Sequence, residues 1–147
     1  MKGKIIFYSI CLMLASSGVM AQNKNVGKSI ISAIFFFYSY HSQTELQAMQ
    51  KGELLDLYIE RMNVLVKMLP YIALTTNPGV TITDLGIPND SKNRKVMEEQ
   101  SKAISDFIEK TDEFQRKITP YSDTNSLIAS ILFYENTLKS LHELESL

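Results

Sequence analysis

SKNRKVMEEQSKAISDFIEKTDEFQRKI, residues 91–118, repeats its apolar side chains at helical spacing. Met97, Ile104, Phe107, Phe114 and Ile118 keep one phase, with Gln100 and Thr111 at in-phase positions between them. At about 3.6 residues per turn that phase is a single face of a long helix. Val96, Ala103 and Ile108 flank the stripe. On the opposite face stand Glu98 with Lys102, Asp106 with Lys110, Asp112 with Arg116, and Glu113 with Lys117, each acid four residues before its base. Pairs in that order favour a helix by about 0.2–0.5 kcal/mol each, so the ladder marks a face turned to water. The expectation is a helix with its aromatic stripe in a core.

Working outward from this segment, residues 44–75 read as a second long helix. No proline intervenes before Pro70, and Leu55, Tyr58, Met62, Leu65, Leu69 and Ile72 recur at steps of three and four. Leu54, Leu57 and Val66 widen that stripe beyond a coiled-coil seam, as a helix touching two neighbours requires. Pro70 is expected to bend the last turn. Downstream, after Thr119-Pro120, a third helix is expected to start near Ser122 to Thr124 and run to about Ser146. Its stripe is Leu127, Ile131, Tyr134, Leu138 and Leu141, with Glu135 and Lys139 paired on the outside.

Residues 26–40 hold a continuous apolar run, Ile30 to Tyr38 broken only by Ser32, which periodicity alone cannot assign. Its length suits a helix, and a shorter fourth helix would complete a bundle. Left uncovered, the run would be an exposed apolar patch of the kind that marks a binding surface, which makes Phe35, Phe36 and Tyr38 candidate partner-binding residues. Residues 76–90 form a connection longer than the roughly two to eight residues usual between bundle helices. Val80, Ile82, Leu85 and Ile87 are spaced there as anchors on the bundle, the first reading, or as a partner-binding loop, the second.

The first 21 residues have the pattern of an export signal. Lys2 and Lys4 precede an apolar stretch, Ile5 to Leu14, and Val19-Met20-Ala21 offers the small residues of a cleavage site. The stretch is shorter than the roughly 20 apolar residues of a membrane span. The single cysteine, Cys11, lies inside it without the small residue that precedes a lipidated cysteine, so a mature chain from Gln22 would carry neither lipid nor disulfide. Cleavage would also change 15 basic and 16 acidic residues to 13 and 16, a formal charge of −3. That balance argues against a nucleic-acid or anionic-membrane surface, which needs clustered basic residues in excess.

Chemistry-bearing motifs are scarce. Gly27-Lys28-Ser29 resembles the end of a phosphate loop, but the glycine required five residues earlier is Gln22. His41 lies one turn before Glu45 if both are helical, and with His142 these are the polar candidates for a metal. No Glu-x-x-His occurs, nor a Cys-x-x-Cys-His haem attachment. No Gly-x-Ser-x-Gly marks a nucleophile, and adjacent Glu98 and Glu99 diverge by about 100° on a helix. Asn89-Asp90-Ser91 matches a glycosylation acceptor but reads first as a turn and helix cap.

The sequence therefore predicts an all-α protein. Residues 1–21 are the cleaved signal peptide, and residues 22–147 are a single small antiparallel bundle of three long helices plus a shorter N-terminal one. The expected function is non-catalytic: an exported protein, periplasmic or extracellular, that binds an envelope or secreted protein or serves as a structural component, with no cofactor and no stable membrane span. Self-association is compatible with it. A periplasmic small-ligand or metal carrier is the alternative.

Overall fold

The computed structural model describes residues 29–31 and 39–143. Among these residues four α-helices form and no strand: α1 (Gln43–Ala48), α2 (Lys51–Met68), α3 (Ser91–Ile118) and α4 (Thr124–Glu143). The fold of the described residues is all-α, and none of their helices is long and apolar enough to cross a membrane. The expected signal peptide and most of the apolar run, including Phe35, Phe36 and Tyr38, lie outside them.

Local start and stop signals set the helix boundaries. The helix expected over residues 44–75 is in fact two, because the chain carries two start signals eight residues apart. Ser42 and Glu45 form a capping box around α1, and the Gln50 N–H donates to Glu53 at 2.8 Å at the start of α2. Met49 and Gln50 are extended between them. Pro70, which has no N–H to continue the ladder, ends α2 at Met68 in a 3₁₀ turn, Leu69–Tyr71. Asp90 accepts from the Asn93 N–H at 2.8 Å and starts α3. A 3₁₀ turn at Thr119–Tyr121 ends that helix, and Asp123 accepts from the Ser126 N–H at 2.8 Å at the head of α4.

Helix α2 is the centre of the structure. Asn63 donates to Asp112 at 3.0 Å, Arg116 to Asp56 at 2.8 Å and Lys51 to the Pro120 carbonyl at 2.8 Å. Rising numbers on α2 meet falling numbers on α3, so the two are antiparallel. Leu54 and Leu57 cluster with Leu127, Ile128 and Ile131, and Val64 and Leu65 with Leu138 and Leu141, so α4 runs parallel to α2.

Two apolar clusters form the core. The lower one adds Leu46 of α1; the upper one adds Met68, Tyr71, Ile104 and Ile31. Ile31 is held there by a short antiparallel bridge. Ser29 pairs with Thr81, Ile30 N–H donates to the Val80 carbonyl at 2.8 Å, and Gly79 N–H to the Ile31 carbonyl at 3.1 Å. Residues 29–31 are thus bridged to the connection and not helical, where a helix is expected. The connection can meet them because Gly79 adopts φ +84° and Gly86 φ +74°, conformations that L side chains rarely take.

Three expectations about faces are corrected. The buried face of α2 runs through Leu54, Leu57, Arg61, Val64, Leu65 and Met68, with Ile59 and Met62 beside it, whereas Leu69 is exposed. The core stripe is one residue out of the expected phase because α2 has neighbours on several sides. On α4, Leu127, Ile131, Leu138 and Leu141 are buried as expected, but Glu135 is buried among them, not paired outside with Lys139. On α3 only Ile104 is buried. The acid-before-base ladder does not close either: the ion pairs formed are Lys95–Glu99 and Lys102–Asp106, base first, while Arg116 reaches Asp56 on α2.

Candidate functional site

Two features stand apart from ordinary core and solvated surface. The first is a layer of buried charge between the apolar clusters. Arg61 and Glu135 are each 1% exposed. Arg61 Nε donates to Glu135 Oε1 at 3.0 Å, and Arg61 Nη2 donates to the Ser39 carbonyl at 2.8 Å. Glu135 Oε2 accepts from the His41 backbone N–H at 2.7 Å, and Oε1 meets His41 Nδ1 at 2.9 Å, which requires the proton on Nδ1. A carboxylate in a medium of low dielectric needs such compensation in full. Both of its oxygens are engaged by donors of the protein itself, so the arrangement tethers residues 39–41 across α2 and α4.

The aromatic fringe of this layer is consistent with a tether. Lys139 Nζ lies 4.7 Å from the Tyr40 ring centroid. Burial, opposed by the Arg61 charge and reinforced by Glu135, raises the Tyr40 phenol above its ordinary value. Tyr58 and Tyr134 pack with ring centroids 5.6 Å apart. Burial first, and then its hydrogen bond to Tyr58, pushes the Tyr134 phenol up to about 12.

The second feature is the outer side of α3. Val96, Phe107, Phe114 and Ile118 are all more than half exposed, and Tyr121, just past the helix end, is 89% exposed. Counting about 100° per residue, these side chains and Ala103 fall in one file roughly 60° wide. The residues that pack inward, Met97, Ile104 and Ile108, lie about 100° round from it. Helix α3 therefore carries two apolar faces, and the fold uses one. Isolated apolar side chains on a surface need no explanation, but five of them, two aromatic, aligned on one side of a 28-residue helix do.

The residues singled out from the sequence are distributed differently. Val80 and Ile87 are half-buried, Ile82 is buried, and Leu85 is exposed. The same loop gives its backbone to Ile30 and Ile31 and braces itself through Thr81, whose N–H and hydroxyl both donate to Asp84 at 2.8 Å. Of the three metal candidates, His41 turns to Glu135, Glu45 accepts from Ser42 at 2.7 Å, and His142 stands exposed in the last turn of α4, so they are not brought together. Among the described residues no group of three or more His, Asp or Glu is placed to hold a metal ion.

Periodicity alone places in a core the file of α3 that is exposed here. Its width was the available signal, since Val96 and Ala103 on one flank and Ile108 on the other span more arc than one neighbour covers. The Arg61–Glu135 layer had a signal too: each charge falls in phase with the apolar residues of its own helix. Compared with known proteins, the chain matches no family model, and no curated protein or solved structure is significantly similar to it.

Proposed function

We propose that the protein is a non-catalytic, exported helical component of the cell envelope, a small bundle released after Ala21, that acts by docking another protein surface on α3. The single observation that carries this reading is the second apolar face of that helix, with Phe107 and Phe114 54% and 56% exposed. Aromatic side chains of this size, arranged along one rigid element, are what the centre of a protein interface is made of. The buried charges support a non-catalytic role, because Arg61 and Glu135 are engaged by one another, by Glu60, by His41 and by the backbone. The loop residues Val80, Leu85 and Ile87 are a secondary candidate contact.

In-cell photocrosslinking tests this reading. A photoreactive phenylalanine analogue at position 107 or 114 should capture a protein, whereas the same analogue at Glu98, on the charged face, should not. Equal capture from all three positions, or none from 107 and 114, would overturn it.

A further inference from the structure

Within the docking reading, which this inference rests on, the side chains along α3 also indicate what docks there. Along α3 and the turn that follows it, two adjacent files of seven-residue repeat face outward. The half-buried Gln100, then Phe107, Phe114 and, in the 3₁₀ turn, Tyr121 make one; Val96, Ala103, Lys110 and Lys117 make the other. Two neighbouring files of that period are the seam of a helix pair, so the element that covers α3 is another long helix lying nearly along it.

We infer that this helix is α3 of a second copy, running antiparallel about a twofold axis near Ile108 and Glu109. In that register each file faces the other. Phe114 meets Ala103 of the second copy and Tyr121 meets its Val96, large against small, while Phe107 lies on the aliphatic stem of its Lys110. The charges agree: Lys110 comes beside Asp106 of the second copy, and Lys117 beside its Glu99. Neither lysine has an acid within salt-bridge distance among the described residues. Parallel pairing would instead set Lys110 and Lys117 against themselves and stack the rings face to face. The half-exposed rings and the nearly free Tyr121, with Val96 and Ile118, present roughly 500 Å² of apolar surface per copy at about 150–250 Å² for a whole aromatic side chain. With its polar rim, such a pairing reaches the lower range of specific interfaces, about 1,200 Å² in total.

Sedimentation velocity of the purified mature chain, with and without charge changes, decides this. The wild type should dimerise with concentration. The variant K110E/K117E, with acids along the seam, and the variant E99K/D106K, with lysines along it, should each associate at least tenfold more weakly while keeping wild-type helical circular dichroism. Mixed together they should form a heterodimer. On oxidation A103C/F114C should crosslink between copies and F114C alone should not. A monomeric wild type at its highest soluble concentration, or two variants that fail to recognise each other, would overturn the inference. If position 114 then still captured a different protein in cells, the docking reading would stand without it; if it captured nothing, both would fall.

Discussion

Glu135 occupies a position in phase with Ile131 and Leu138, where an unpaired carboxylate could not persist, and Arg61 answers it from another helix at 3.0 Å. Removing one member leaves the other buried without its counter-charge. Arg61→Met or Glu135→Leu alone should therefore cost about 3–5 kcal/mol, read from urea unfolding, whereas the double variant should recover most of that loss. A double variant as unstable as the sum of the singles would show that the two residues do not act as a pair. Titration offers a second check at this scale. The Tyr134 phenol is raised from 10.0 to about 12. Its neutral form is the one the fold favours, so its contribution is complete below pH 10 and lost as pH rises through about 12. Absorbance at 295 nm should show tyrosine ionisation extending to about pH 12, and Y134F should remove that last step. At the acid end, the Ser42 backbone and hydroxyl hold Glu45 below its ordinary 4.5, and Ser126 holds Asp123 below 3.8. Both contributions are present above those values and decline as pH falls below them, so thermal stability should begin to drop below about pH 4.5.

Among elements, α3 is the one whose surroundings differ most from its sequence pattern. Its start depends on Asp90, which caps it at 2.8 Å, and D90A should destabilise the protein by about 0.5–2 kcal/mol with loss of helical signal confined to the first turns. The connection before it is a working part of the fold. Residues 79–81 hold residues 29–31 by backbone pairing, and that pairing places Ile31 in the upper cluster at 1% exposure. Ile31→Ala should cost about 2–5 kcal/mol, as for other buried aliphatic truncations, and should speed hydrogen exchange of the Ile30 amide. An effect within a few tenths of a kcal/mol would show that the segment is not integral to the core.

At the scale of the whole molecule, α2 is gripped on several sides while α3 is gripped on one, and mutational sensitivity should follow that asymmetry. Ile131→Ala, at the centre of the lower cluster, should lose about 2–5 kcal/mol, whereas Phe114→Ser should change monomer stability by about 0.5 kcal/mol or less. Chemical denaturation at a concentration too low for association separates the two. Comparable losses would mean that Phe114 is core after all. The long helices α3 and α4 and their approximate ends were legible in the chain because caps, prolines and three- and four-residue spacing act within a few residues. So was the apolar stripe of α4, whose buried members needed only their mutual spacing to be seen. The break that divides residues 43–68 into α1 and α2 was passed over in favour of one continuous apolar stripe.

Which face of each helix meets a neighbour is a different kind of information. The shift of the α2 face, the burial of Glu135 against a partner 74 residues away and the bridging of residues 29–31 to the connection all depend on segments distant in sequence. The exposed side of α3 belongs with them. By itself the sequence determined the class of structure and the composition of its helices, since hydrophobic periodicity and capping are local. Only the tertiary structure decided that α3 has two apolar faces and one neighbour, because a stripe records that a surface avoids water and not what covers it.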